Sequence, residues 1–222
     1  MARFDIAAIV KRTRNVPRSA IVIRDTVAPA TMATDLYRAA YLPIITAWTD
    51  ALPRIEAEYA RTLAQMTQDS PADVQAEVDS AAAALQRLVL TLTPQVRNWA
   101  LRLEAWHRNR WRGAVLSATG VDLATMIGPE GVAAPLATHI EWNTALIRDV
   151  SDQIRQRVGN AVFDGLRNRT PAREVAKSIN EAVGLGKARS QRIASDQLQK
   201  LTSALADERR REAGITAWEW VH

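Results

Sequence analysis

Thr170-Pro171-Ala172-Arg173-Glu174-Val175-Ala176 opens the stretch, running to His222, whose reading decides the fold. A hydroxyl that can cap free amides precedes a proline at the first helical position, where no N–H is needed. Ala172, Val175, Ala176, Ile179 and Val183 then share one helical face, and Gly184 stands where a left-handed C-terminal cap is wanted. A second helix is predicted from about Lys187 to Ala213, with Ala194, Leu198, Leu201 and Leu205 as its apolar stripe and Gly214 as its stop. Ile215-Thr216-Ala217-Trp218-Glu219-Trp220-Val221 alternates and is rich in β-branched and aromatic residues, which predicts a strand.

Upstream, Leu136–Arg157 predicts another helix, offering Ile140, Ala145, Ile147, Val150 and Ile154 for burial, with residues 160–166 as a short link. Gly113, Gly120, Gly128, Pro129, Gly131 and Pro135 puncture the segment before it, so the main boundary is expected at 114–135. The helix after Pro94 holds Trp99, Trp106 and Trp111, three of the seven tryptophans. Val96, Trp99, Leu103 and Trp106 form its buried face, while Trp111 lies off that line. Arg97, Arg102, Arg108, Arg110 and Arg112 decorate it, and arginines interleaved with aromatics can bind phosphate and stack bases.

Further back, residues 35–50, 53–68 and 72–90 carry single apolar stripes. Pro43 is expected to kink or break the first, Pro53 to start the second, Ser70-Pro71 to cap the third, and Thr93-Pro94 to open the fourth. Successive helices with Pro-marked turns argue for a bundle. Residues 1–30 differ: Arg3, Lys11, Arg12, Arg14, Arg18 and Arg24 face one early acid, Asp5, and Pro17 interrupts the segment. Its scattered apolar residues predict an arm that is mobile alone and orders on a partner. There Ile21, Val22 and Ile23 would add to an exposed sheet edge while Arg12, Arg14 and Arg18 meet acidic groups or DNA.

Composition narrows the functional classes. The 222 residues are 47% hydrophobic, enough for a sizeable core, and 29 Lys+Arg against 24 Asp+Glu leave a formal charge of +5. That excess is compatible with nucleic acid without requiring it. No cysteine is present, which excludes disulfides and thiolate chemistry. No signal peptide is seen, and no apolar run approaches the roughly 20 residues of a membrane span, so a soluble protein without a membrane partner is expected.

Catalytic signatures are missing. His107, His139 and His222 share no ligand spacing, no metal or cofactor motif occurs, and His139 with Glu141 is expected at the surface. Gly184-Leu185-Gly186-Lys187 lacks the first glycine and the hydroxyl of a phosphate loop and is expected to be a helix–helix turn. Glu56 and Glu58 point apart on their helix. The chain is not expected to be an enzyme.

The run Arg189-Ser190-Gln191-Arg192-Ile193-Ala194-Ser195-Asp196-Gln197-Leu198, followed by Ala213-Gly214-Ile215-Thr216-Ala217-Trp218-Glu219-Trp220, resembles the phage head morphogenesis proteins, the minor head proteins of the phage Mu F-like family. Their pattern is an R-x-x-x-I-A-R-[DT]-x helix, then A-G-I-x-x-[YW]-x-W entering a strand; Ser195 stands where Arg is usual. The resemblance is clear over Val115–Val221 and weaker over Asp35–Leu63. Family members continue past the strand into a polar segment, whereas this sequence ends at His222.

The expected architecture is mainly α. A basic extended arm (1–30) precedes a helical bundle (31–113), an irregular linker (114–135) and a helical domain with a terminal strand (136–222), α+β if the chain continues. The resemblance implies a low-copy virion component inside the head near the portal vertex, present in the host cytoplasm during assembly. It implies several copies around the portal vertex, contacts with the portal protein, the major capsid or scaffolding protein and packaged double-stranded DNA, and a role in head assembly and in DNA packaging or retention. The competing reading is a stand-alone nucleic-acid-binding protein whose Thr170–Leu201 pair forms a helix-turn-helix, although its second helix runs far longer than recognition needs. An enzyme would require residues beyond His222.

The phase of the last helix is directly testable. Leu198→Asp places a carboxylate in the apolar stripe and should cost several kcal/mol, whereas Gln199→Asp should be close to neutral. Equal melting temperatures for the two variants would refute the phase.

Overall fold

The computed structural model describes residues 5–13, 21–24, 26–65, 72–123 and 132–215. In order they form α1 (Ile6–Thr13), α2 (Thr31–Leu36), a π-helical turn (Tyr37–Tyr41), α3 (Leu42–Gln65), α4 (Ala72–Thr119), α5 (Ala133–Asn168) and α6 (Ala172–Glu212). The fold is mainly α, and no strand occurs among the described residues. Ile215, where the strand was expected to start, has irregular backbone, and residues 216–222 lie outside the described residues.

Side-chain bonds between helices set their directions. Tyr41 Oη donates to Asn143 Oδ1 (3.4 Å), Trp48 Nε1 to Ser151 Oγ (3.2 Å) and Tyr59 Oη to the Thr170 carbonyl (2.7 Å). Both residue numbers rise together, so α3 and α5 run parallel. Asn180 Nδ2 reaches Glu56 Oε1 at 3.1 Å while Gly186 lies beside Ile45, so α6 runs against α3. Arg155 meets Asp79 at 2.6 Å and Arg209 meets Glu104 at 2.8 Å, which sets α4 antiparallel to α5 and alongside α6. The result is an up-down-up-down bundle of α3 to α6.

Several expected breaks are absent. Pro53 sits inside α3 and Pro94 inside the 48-residue α4; Gly113 and Gly184 interrupt nothing, and residues 160–166, expected to be a link, are helical within α5. Both interior prolines are exposed, as are Thr49 and Leu90, whose carbonyls lose their N–H partners. Water can satisfy those carbonyls, so each proline costs little beyond its ring clash. Meanwhile the apolar stripe runs unbroken across Pro94, through Val74, Val78, Ala81, Leu85, Val89, Leu92, Val96, Trp99 and Leu103, all buried. Around Pro43, which offers no N–H to Ala39, the backbone widens into the π-helical turn instead of breaking. Ala145, expected to be buried, is exposed.

One apolar cluster takes side chains from α2 through α6. Helices on both sides of the expected 114–135 boundary therefore share a core, and residues 114–119 are the last turns of α4. The α5–α6 connection is tight. Arg169 adopts a left-handed conformation (φ 52°), Thr170 N–H donates to the Gly165 carbonyl at 2.9 Å, and Arg169 N–H to Leu166 at 3.2 Å. Pro171, with ψ 139°, is the residue that caps α6, one position later than the expected Thr170, and no side chain caps that end. The other end closes as the sequence predicts: Gly214 has φ 71°, its N–H donates to the Arg211 carbonyl, and Ile215 N–H reaches back to Arg210. These are the paired bonds of a Schellman stop.

The N-terminal segment departs most from expectation. Residues 6–13 are helical, not extended, and α1 buries Ile6 and Val10 against Trp111, Val115, Val121, Leu123 and Ala213. Ile21 and Ile23 lie half-buried on the same cluster, and Thr26 is buried. The apolar residues judged too few to bury themselves find their partners at the far end of α4 and α6. Ile6, Ile9 and Val10 keep helical spacing, but the surface they pack on comes from distant parts of the chain.

Gly184 and Gly186 both occupy α6, yet a methyl group would meet different surroundings at each. A Cβ at Gly186 would lie 2.5 Å from Ile154 Cδ1 and 2.6 Å from its Cγ1, whereas one at Gly184 has nothing within 4 Å. Gly184→Ala should stabilise the protein by roughly 0.5–1 kcal/mol through helix propensity. Gly186→Ala should destabilise it by about 1–3 kcal/mol through overpacking. Urea unfolding of the two variants checks this, and shifts of the same sign would refute the close approach.

Candidate functional site

The arginine-bearing part of α4 does not present the surface that its sequence suggests. Arg97, Arg102 and Arg110 are exposed; Arg108 is half-buried and paired with Glu104 Oε2 at 3.3 Å; Arg112 is half-buried. At roughly 100° per residue, Arg97, Arg108 and Arg112 share a side of the helix, while Arg102 and Arg110 turn away from it. Trp111, expected off the buried line, is only 6% exposed and belongs to the cluster beneath α1. Trp106, expected in the core, is half-buried, and the Arg110 guanidinium stacks 5.9 Å from its ring centroid. Trp99, Trp106 and Trp111 therefore form no open stacking platform, and what this part of α4 offers phosphate is a set of separate guanidinium groups.

The candidate docking residues are likewise dispersed. Arg12 is exposed on α1, Ile21 and Ile23 are half-buried, and Val22 is 64% exposed. Arg14 and Arg18 lie outside the described residues.

Beneath this region the fold assembles a polar cluster that sequence reasoning missed. Arg209, 1% exposed, inserts from α6 toward α4, where its Nη2 meets Glu104 Oε1 at 2.8 Å and its Nη1 meets His107 Nδ1. On the other side of the ring, His107 Nε2 lies 2.7 Å from Thr26 Oγ1. A guanidinium has only N–H donors, so Nδ1 must be the acceptor and the ring proton sits on Nε2, donating to Thr26. Burial, reinforced by the charges of Arg209 and Arg210, pushes His107 down to about 3 from its ordinary 6.5. At neutral pH the imidazole is a fixed, uncharged spacer with no access to a substrate. A signal was present: His107 falls four residues after Leu103, and Arg209 four after Leu205, each in phase with an apolar stripe.

A second polar set lies among the π-helical turn, α5 and α6. Asn143 donates to the His139 carbonyl at 2.8 Å and to Gln197 Oε1 at 3.4 Å while accepting from Tyr41. His139, expected at the surface, is buried edge-on to Trp142. Burial, then the charge of Lys200, lowers its pKa. Gly184-Leu185-Gly186-Lys187 is mid-helix, so it is neither a phosphate loop nor a turn. Among the described residues no group of three or more His, Asp or Glu side chains is placed to hold a metal ion. No helix among them is long and apolar enough to cross a membrane.

No protein-family model matches the chain, and no solved structure matches it. A Haemophilus influenzae protein described as "Uncharacterized protein" is 27% identical over 103 residues, which are 46% of this chain and 23% of that protein. The match thus spans less than a quarter of the relative's length and assigns no family.

Removing the buried guanidinium tests the cluster. Arg209→Ala leaves Glu104 and His107 Nδ1 without their shared donor and should cost about 3–5 kcal/mol. Arg211→Ala, two residues on and exposed, should stay within about 0.5 kcal/mol. Equal urea midpoints for the two would show that Arg209 is not holding α4 to α6.

Proposed function

We propose that this chain is a phage minor head protein that acts by binding, as a low-copy internal component of the virion near the portal vertex. The observation that carries the reading is the two-part motif, Arg189–Leu198 followed by Ala213–Trp220, which resembles the head morphogenesis family. Several of its described residues have fold-setting places, whereas Gln191, Arg192, Ser195 and Asp196 are exposed. Ala194 and Leu198 are buried, Ala213 packs under α1, and Gly214 supplies the left-handed stop. Substitution at these four positions would be costly to the fold.

On this reading the bundle docks on the portal protein and on the capsid or scaffolding lining, several copies surround the vertex, and guanidinium groups meet the packaged duplex without reading its sequence. It aids head assembly and DNA packaging or retention, passing through the host cytoplasm during assembly. The helix-turn-helix alternative loses its support, because residues 172–212 form one uninterrupted helix. Nucleic-acid contact then runs through phosphates and not through a recognition helix.

Two measurements test the proposal. Mass spectrometry of DNA-filled heads, purified from cells that make this chain, should find it at low copy number; its absence from heads would overturn the assignment. The isolated protein should bind duplex DNA without sequence preference. Replacing Arg97, Arg102 and Arg110 by Gln should flatten the slope of log K against log salt by roughly 0.9 per lost phosphate contact. An unchanged slope would remove these three from the interface.

A further inference from the structure

The outer side of α4 carries a second stripe, turned away from the core. Ala83, Arg87, Leu90, Pro94, Arg97 and Leu101 recur at alternating steps of four and three residues, and all six are exposed. At roughly 100° per residue they fall within an arc of about 80°, opposite the buried line of Leu85, Val89, Leu92, Val96 and Leu103. An average spacing of about 3.5 residues is that of the seam between two paired helices. Leu90 is 65% exposed and Leu101 44%, so the seam is open.

The charge along this part of α4 has one sign. Between Ser80 and Thr119 there are six arginines and one acid, Glu104, which is buried against Arg209. Arg108 is held by Glu104, but among the described residues neither Arg87 nor Arg97 forms an ion pair. An occupant of this face must therefore supply apolar side chains at helical spacing with carboxylates beside them. A second copy of the same face would bring further arginines and no acid. A duplex offers phosphates to Arg87 and Arg97 but nothing apolar to cover Leu90 and Leu101. A lipid surface would find only these two large apolar side chains to bury.

We propose that the face from Ala83 to Leu101 is a docking site for an acidic amphipathic helix of another protein. The apolar stripe of that helix packs along the seam against Leu90 and Leu101, and its carboxylates, flanking the stripe, meet Arg87 and Arg97. The docking is the same whichever protein supplies the helix, so it stands apart from the head-protein reading. Arg97 is also one of the three arginines offered to duplex DNA, so helix and duplex compete for that contact.

Fluorescence anisotropy with the intact chain tests the site. The probe is a labelled peptide of about 20 residues, long enough to span the face, made of leucine, alanine and glutamate with its leucines in one helical stripe. It should bind, and a scrambled peptide of the same composition should bind about tenfold more weakly or worse. Leu90→Ser with Leu101→Ser should weaken the striped peptide by about tenfold or more. Arg87→Gln with Arg97→Gln should weaken it and flatten its loss of affinity with salt. All four positions are exposed, so both variants should keep the parental melting temperature. No binding, equal binding of the two peptides, or unchanged affinity in either variant would overturn the site. So would phosphatidylglycerol vesicles that bind the parent more tightly than the striped peptide does, or self-association of the parent that the leucine variant loses.

Discussion

The bundle depends on how closely α5 and α6 can approach. At Gly186 the α6 backbone comes so near Ile154 that a methyl group has no room, and at Gly165 the α5 backbone is similarly pressed by Val175 and Tyr59. Two glycines thus act as notches, one on each helix, into which side chains of the neighbouring helices fit. Glycine within a helix carries an entropic cost of about 1 kcal/mol. Here it is offset by the dispersion contacts that close packing makes possible. The Arg169–Thr170 turn then holds the two helices at this spacing, and α3 and α4 are laid over the pair.

Helix length follows from the same packing. Pro53 and Pro94 would end helices in isolation, because local propensity strongly disfavours them. In the bundle both face solvent, while the residues flanking each of them bury a continuous apolar face. Burial of several large side chains, at about 1.5–3 kcal/mol each, outweighs one ring clash and one hydrogen bond transferred to water. Tertiary structure overrides the local breaker. The π-helical turn before Pro43 shows the other accommodation, in which the backbone widens to absorb the missing donor.

The buried polar groups serve register and attachment. Tyr41 with Asn143, Trp48 with Ser151 and Tyr59 with Thr170 tie the π-helical turn and α3 to α5 and the turn that follows it at successive levels, so sliding either side by one helical turn would orphan all three. Arg209 does the same for α4 and α6, and through His107 it also reaches the N-terminal segment. A neutral histidine between an arginine and a threonine orients its neighbours and has no solvent-facing atom for chemistry. For a protein proposed to work by binding, the arginines that remain at the surface are what a partner can meet.

The helical character, the inward phase of most stripes and the Gly214 stop were determined by the sequence alone. These depend on spacing within a few turns, and Ala194, Leu198, Leu201 and Leu205 lie inward as their periodicity requires. Which of the other breakers end a helix was not legible, because Pro53, Pro94 and Gly184 carry the same local signal whether or not packing overrides it. Trp111 and the N-terminal segment were misjudged for a related reason. Their partners, Ile6 with Ala213 and Thr26 with His107, are far apart in the chain and meet only once α4 and α6 have come together. The polar cluster left one trace, His107 and Arg209 each standing in an apolar phase, but pairing two such residues 102 positions apart is information that only the tertiary structure holds.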